Sequence, residues 1–145
     1  MERPTAFLMI GPPGAGKSTY ARQLSSETGA AIIEGDSVYQ TAGPLWTELE
    51  DGILEKIEEH LPNDIILDAP HCDRHERRLA TDLLMMHGYD VVAVVMKTPI
   101  KVCILRNATR AKHVPRHAIT RWENRLEREL SALTTEPFKE VITVQ

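Results

Sequence analysis

The 145 residues, of which 42% are hydrophobic and 26% charged, have the length and composition of one globular domain, residues 1–145. The net charge of −4 argues against a generally basic nucleic-acid-binding protein, and the longest apolar runs are too short for a membrane-spanning helix. The N-terminal residues do not resemble a signal peptide, and Cys72 and Cys103 do not make a disulfide framework, so we expect a cytoplasmic protein.

The hydrophobic pattern predicts strands that alternate with helices. The predicted strands are Thr5–Ile10, Ala30–Ile33, Ile65–Leu67, Val91–Met96 and Val141–Val144. The predicted helices are 17–26, one that runs to about His60, Arg74–His87, Ile100–Asn107 and a last one that begins at Pro115. This alternation, with continuous apolar strands, predicts an α/β fold in which a five-stranded parallel sheet carries helices on both faces.

Three of the predicted helices have an apolar stripe at helical spacing. One is the helix that runs to about His60, with Trp46, Leu49, Ile53, Ile57 and Leu61 as expected core residues. The other two are Arg74–His87 and the last helix. The expected buried residues of Arg74–His87 are Leu79, Leu83 and Met86. The expected buried residues of the last helix are Ile119, Trp122, Leu126, Leu130 and Leu133. These stripes predict that the helices pack on the sheet.

The segment Gly11–Thr19 fits the pattern G-x-x-x-x-G-K-[ST] of a P-loop, or Walker A motif, between the first predicted strand and helix. Its glycines let the backbone N–H groups surround an anion, and the helix start adds the positive end of its dipole. Lys17 would reach the β- and γ-phosphates of ATP or another nucleoside triphosphate, and Ser18 would ligate Mg²⁺. The expected nucleotide-binding residues of this segment are Gly11, Gly14, Ala15, Gly16, Lys17, Ser18 and Thr19.

Acidic residues follow two other predicted strands, at the edge where a parallel sheet binds its ligands. Asp36 is placed to accept the proton of an attacking hydroxyl, although it also fits a helix cap, and Glu34 is its rival as the base. Asp68 matches the Walker B position, where a carboxylate holds Mg²⁺ directly or, as we expect, through water. A plain acidic strand terminus is the alternative for Asp68. His71 is either a surface loop residue or a contact to the substrate.

A polar, basic segment, about residues 106–115, is predicted to form a helical lid between two helices. Arg106 and Arg110 share a helical face if the helix continues, and there an arginine would neutralise the charge of a transferring phosphoryl group. We expect Arg110 to do this and Arg106 to contact the nucleotide, with solvated arginines as the alternative. Charges are mostly basic over residues 97–128 and almost all acidic over residues 34–68, which indicates a local anion site. For Arg121, Arg125 and Arg128 we instead expect a solvated helix face with Glu–Arg pairs.

Four groups of residues together carry a resemblance to a known family. They are Gly11–Arg22, Gly35-Asp36, Asp68-Ala69 with Arg77-Arg78, and Arg106–Arg110 leading to Val114-Pro115. In this order the sequence resembles the P-loop kinases of the polynucleotide kinase and zeta-toxin type, above all the 5′-kinase domain of phage-type polynucleotide kinase. The resemblance implies a P-loop NTPase fold and an ATP-dependent kinase, with Asp36 as general base and Arg110 and Lys17 at the phosphoryl group.

Two positions on the acceptor side depart from that family. Tyr39 stands where the family often has an arginine that grips a phosphate of the substrate, and Ala69 replaces a threonine that helps in this grip. The expected acceptor is a hydroxyl of a nucleic acid or nucleotide, contacted by Asp36, Tyr39 and His71. The departures favour the alternative acceptor, a small molecule such as a nucleoside, sugar or antibiotic. Outside the enzymes, the alternative is a nucleotide-binding regulatory module without catalysis.

Overall fold

The computed structural model describes residues 3–11, 16–34, 57–68, 74–108 and 132–144, together with positions 117, 120, 124 and 128. The strands are β1 (Thr5–Ile10), β2 (Ala31–Glu34), β3 (Ile65–Asp68), β4 (Asp90–Met96) and β5 (Glu140–Val144). The helices are α1 (Lys17–Thr28), α2 (Arg74–Met86) and α3 (Ile100–Ala108), and residues 57–60 are also helical. The predicted strands and these three helices are confirmed to within two residues at each end.

The five strands form one parallel sheet in the order β2-β3-β1-β4-β5. The first strand of the chain is therefore the central one, with β3 on one side and β4 on the other. In the register of the sheet Met9 lies opposite Asp68, and Ile10 lies opposite Val95. The carboxyl ends of β1, β3 and β4 thus meet at one edge, which confirms the predicted α/β architecture.

Both faces of the sheet are buried because successive strand residues point to opposite sides and nearly all are apolar. On one face, Leu8 and Leu67 pack with Leu84 of α2 in one buried cluster. On the other face, Met9 packs with Leu24 of α1 and Cys103 of α3. Helices therefore cover both faces, as predicted.

The buried stripe of α2 differs from the prediction. Leu83 is buried as expected, but Met86 is 79% exposed, so its predicted place in the core is wrong. Two polar residues, Arg77 and Thr81, are buried instead. Thr81 Oγ1 donates to the carbonyl of Arg77 at 2.8 Å, and such a bond inside the helix lets a hydroxyl be buried at little cost. The buried face of α2 is therefore rotated relative to the face that its apolar residues alone predict.

The described positions of the last predicted helix agree with it. His117, Thr120, Asn124 and Arg128 are helical and exposed, and none of them belongs to the predicted apolar stripe. Leu133 is helical and buried, as predicted, and packs against the central strands. The other four predicted stripe residues lie outside the described residues.

At the amino-terminal edge of the sheet, side chains tie the loops to the strands. The backbone N–H of Thr5 donates to Asp64 Oδ1 at 2.8 Å, and the Tyr89 hydroxyl donates to the carbonyl of Asn63 at 2.9 Å. Burial, and secondly the negative charge of Asp64, raise the pKa of Tyr89 above its ordinary value of 10.0.

None of the described helices has the length and apolarity that a membrane crossing requires.

Candidate active site

The carboxyl end of β1 leads directly into the P-loop segment, and the ends of β3 and β4 flank it. Asp68 is the last residue of β3, and Met96 is the last residue of β4. In an open parallel sheet, ligands bind beyond the carboxyl ends of the strands, where the connections diverge. The fold therefore places the motif residues at the expected ligand-binding edge.

Gly16 turns the chain from the P-loop into α1. Its φ of 89° and ψ of 15° lie in the left-handed region, which glycine enters without the strain that a Cβ causes. The N–H of Tyr20 donates to the Gly16 carbonyl at 3.0 Å and closes the first helical turn. The first turn of α1 contains no acidic residue, so its positive dipole end is not neutralised from within the turn. This geometry suits an anion such as a phosphate.

Lys17 is buried, with 9% of its surface exposed. Burial of an ammonium group is costly unless it is paired, and lysines are rarely buried for that reason. Lys17 is the first residue of α1, so the chain brings it to the start of the helix, where the motif requires the lysine. Thr19, two residues further along α1, is exposed, and its hydroxyl accepts a hydrogen bond from Arg22 Nη2 at 3.4 Å.

Ser18 and Asp68 meet across the edge of the sheet. The Ser18 hydroxyl donates to Asp68 Oδ2 at 2.9 Å, which joins the Walker A and Walker B positions. A hydroxyl and a carboxylate this close are hard oxygen ligands of the kind that Mg²⁺ prefers, and Mg²⁺ normally completes its shell with water and phosphate oxygens. The donor set therefore fits the predicted metal. Within the described ranges, no three His, Cys, Asp or Glu side chains form a metal-binding group.

Arg106 reaches the P-loop from the last turn of α3. A Cβ placed on Gly16 would lie 3.2 Å from Arg106 Nη1 and 3.8 Å from Met96 Cε. The guanidinium group is thus beside the backbone that begins the phosphate-binding helix. This position agrees with the predicted contact between Arg106 and the nucleotide, although the role itself stays a prediction. Residues 106–108 belong to α3, and the rest of the predicted lid lies outside the described residues.

Several predicted site residues cannot be placed, because they lie outside the described residues. They are Gly14 and Ala15 of the P-loop, Asp36, Tyr39, His71 and Arg110. The backbone of Glu34, the rival base, ends β2 opposite Asp68. The residues that the structure does bring together are Gly11, Gly16, Lys17, Ser18, Asp68 and Arg106.

The sequence reading missed one residue of this site. Met96 ends β4 in a run of apolar residues and is buried, and its methyl group lies near Gly16. The position of Met96 was the available signal, since residues at the carboxyl ends of parallel strands face the ligand site. Its apolar side chain supports the Gly16 turn from the side of β4.

Comparisons with known proteins agree with this geometry. A protein-family model described as an AAA domain matches residues 7–129. The chain is 30% identical over 135 residues to a cytidylate kinase of Ignicoccus hospitalis, a match that covers 88% of the chain and 73% of that kinase. It is 35% identical over 65 residues to a shikimate kinase of Corynebacterium efficiens, covering 41% of the chain but only 38% of the relative.

Solved structures share the fold at low sequence identity. The PezAT toxin–antitoxin system of Streptococcus pneumoniae matches with a TM-score of 0.71 and 20% identity, covering 100% of this chain and 68% of that chain. The Pnkp1/Rnl/Hen1 RNA repair complex matches with a TM-score of 0.69 and 18% identity, covering 91% and 47%. At these identities the likeness establishes the fold alone.

Proposed function

Since the chain belongs to the AAA domain family and is a kinase-like P-loop NTPase, we propose that it is an ATP-dependent kinase whose acceptor is a hydroxyl group. The observation that carries the proposal is the hydrogen bond between Ser18 and Asp68 at 2.9 Å beside the buried Lys17. It supports the assignment of Ser18 and Asp68 as the Mg²⁺-binding pair and of Lys17 as the phosphate-binding cation. Arg106 adds a second cation from the opposite side, beside Gly16.

Each of these groups has a separate role in the proposed phosphoryl transfer. Lys17 and the N–H groups at the start of α1 hold the phosphates, and Arg106 adds positive charge where negative charge develops. Ser18 and Asp68 would hold Mg²⁺, which when bound neutralises charge on the phosphates. Positioning and charge stabilisation of this kind account for most of the catalysis in such reactions.

The proposed reaction needs a base for the acceptor, and we assign it to Asp36. The acceptor oxygen forms a bond to the γ-phosphorus while the bond from that phosphorus to the β–γ bridging oxygen breaks. ADP leaves with the electrons of the broken bond, and the hydroxyl proton passes to the Asp36 carboxylate. Arg110 completes the assignment as the residue that stabilises the transferring phosphoryl group.

Two classes of acceptor are proposed, each with its own support. A hydroxyl of a nucleic acid or nucleotide is favoured by the motif resemblance and by the shared fold with an RNA repair complex. A small-molecule hydroxyl is favoured by Tyr39 and Ala69, which replace the family's phosphate-gripping residues, and by a relative that is a shikimate kinase. We rank the nucleic acid or nucleotide first because the resemblance includes residues on both sides of the P-loop.

The test is a panel of acceptors with γ-labelled ATP. It contains DNA and RNA with a 5′-hydroxyl, nucleosides, nucleotides, sugars and shikimate. We expect one class to take up label, and the Asp36→Asn variant to bind ATP normally while transfer falls by about 10²–10⁴-fold, the usual contribution of a general base. Glu34→Gln is the matched control, since it removes the rival carboxylate and should leave transfer near the parent rate.

Each result separates the proposals. If Glu34→Gln abolishes transfer and Asp36→Asn does not, the base is misassigned. If the parent protein binds ATP but labels no acceptor of any class, the kinase proposal fails. A nucleotide-binding regulatory module then becomes the better description.

A further inference from the structure

Outside the site, the described residues include a buried ion pair between Arg77 and Glu136. Arg77 is the fourth residue of α2, and Glu136 lies in the turn that precedes β5. Arg77 Nε donates to Glu136 Oε1 at 2.9 Å and to Oε2 at 3.2 Å, and Arg77 Nη2 donates to Oε2 at 2.8 Å. The two side chains are 0% and 2% exposed.

Stability alone is a weak reason for such a pair. Removing two charges from water is costly, and well-packed apolar residues of similar volume often stabilise a protein as much or more. An arginine fork on a carboxylate offers something that apolar contacts lack, namely a fixed distance and orientation between two segments. The pair is therefore best understood by asking what it holds in place.

On one side the pair holds α2, the helix that follows Asp68 in the chain. On the other side it holds the start of β5. The N–H of Lys139 donates to the carbonyl of Val91 at 2.8 Å, and the carbonyl of Val144 accepts the N–H of Lys97 at 2.7 Å. β5 is thus bound at both ends to β4 and to the segment that leads into α3.

The segment before α3 leads to the candidate active site. Lys97 leads to α3, and the last turn of α3 carries Arg106, whose guanidinium group lies beside Gly16. The pair therefore connects α2, the helix that follows Asp68 in the chain, to β5, the strand that is bound to the segment before α3. Asp68 ends β3 and Arg106 follows β4 in the chain, and these two strands lie on opposite sides of β1, which leads into the P-loop.

We propose that Arg77 and Glu136 are positioning residues that fix α2 against β5 and thereby set the separation of Asp68 and Arg106 across the P-loop. The kinetic part of this inference rests on the proposed kinase function. Its structural part does not, because it concerns the arrangement of the protein without substrate.

The test uses the full chain and a double variant, Arg77→Met with Glu136→Leu, which replaces both charges by apolar side chains of similar volume. We expect a thermal midpoint close to that of the parent, because apolar residues of similar volume often replace a buried ion pair at little cost in stability. We also expect changed NMR amide shifts at Gly16 and Arg106, which are remote from both substitutions in the chain. In the kinase assay kcat should fall about 10- to 100-fold, the effect of displacing reacting groups by about 1 Å, with a smaller change in KM for ATP.

Two further variants make the outcome decisive. Lys139→Met is the control, since it removes an exposed ion pair to Asp90, 3.6 Å long, from the same stretch before β5. It should change neither the shifts nor kcat. Glu136→Asp keeps the charge but shortens the reach, and it should show the same pattern as the double variant in weaker form.

The inference is overturned if the double variant folds with the midpoint, amide shifts and kcat of the parent, because the pair would then be replaceable packing. If the double variant does not fold, Glu136→Asp decides in its place, and parent-like shifts and kcat in that variant overturn the inference. If the parent transfers phosphate to no acceptor, the amide shifts still decide this inference. That failure would belong to the proposed function.

Discussion

Asp68 offers the sharpest test of the metal-binding pair, through the variant Asp68→Asn. In the parent, the Ser18 hydroxyl lies 2.9 Å from Asp68 Oδ2. The substitution keeps the shape of the side chain and an oxygen that can accept this hydrogen bond, but it removes the negative charge. Because Ser18 is exposed, the weakened hydrogen bond should cost only about 0.5 kcal/mol, the low end for such bonds. The thermal midpoint without ligand should therefore change by about 1–2 °C.

The effect on nucleotide binding should be much larger. At a concentration of Mg-ATP equal to 100 times Kd, ligand binding stabilises the parent by about 2.7 kcal/mol, which raises the midpoint by about 5–11 °C. Loss of a group in the metal shell typically weakens binding by about 10- to 100-fold. After a loss of about 100-fold, the same ligand concentration stabilises by about 0.4 kcal/mol, or about 1 °C.

The assay is thermal unfolding with no ligand, with ATP and EDTA, and with Mg-ATP. Asp82→Asn, which removes an exposed carboxylate from α2, is the control and should keep the full response. Parent and Asp68→Asn should respond equally to ATP without metal, since the charge acts through Mg²⁺. If Asp68→Asn keeps the full shift with Mg-ATP, Asp68 does not serve the metal and the Walker B assignment is refuted.

Three other substitutions test the remaining geometry. Gly16→Ala puts a Cβ 3.2 Å from Arg106 Nη1, at a residue whose φ is 89°. This backbone conformation costs about 1–2 kcal/mol for a residue with a Cβ, so Kd for ATP, measured by calorimetry, should rise about tenfold. An unchanged Kd would contradict the close approach of Arg106 to Gly16. Arg106→Gln should lower kcat/KM for ATP at least tenfold. Lys101 is an exposed residue of the same helix, and Lys101→Gln should leave kcat/KM unchanged. Tyr89→Phe removes the bond to the Asn63 carbonyl and should cost about 1 kcal/mol in urea unfolding. The raised pKa of Tyr89 keeps the phenol protonated in the folded chain to a higher pH than in the unfolded chain. Stability should therefore fall as pH rises above about 10, and Tyr89→Phe should reduce this fall.

The fold was predictable because its signals are local. β1 was predicted with its observed bounds, Thr5–Ile10, since a buried parallel strand is a short apolar run that ends at a turn signal. The start of α1 at Lys17 followed from the P-loop motif. The meeting of Ser18 and Asp68 followed from one rule, that the carboxyl ends of parallel strands share an edge.

What could not be predicted depends on partners far away in the chain. Arg77 and Glu136 are 59 positions apart, and an arginine in a helix is ordinarily assigned to the surface, so nothing local indicates that it is buried. The same assumption misplaced Met86, because counting apolar residues alone rotates the stripe of α2. Arg106 was identified from its charge and position in the chain, but its approach to Gly16 depends on how α3 packs.

The central position of β1 has a consequence for the newly made chain. The P-loop is synthesised before β3 and β4, yet β1 is held between these two strands, whose paired residues extend to Val95. Arg106 follows later still. At synthesis rates of about 5–20 residues per second, roughly 5–20 s separate the emergence of Lys17 from that of Arg106. A nascent chain that ends before β4 should therefore bind no nucleotide, so ATP can stabilise this domain only after β4 has been made.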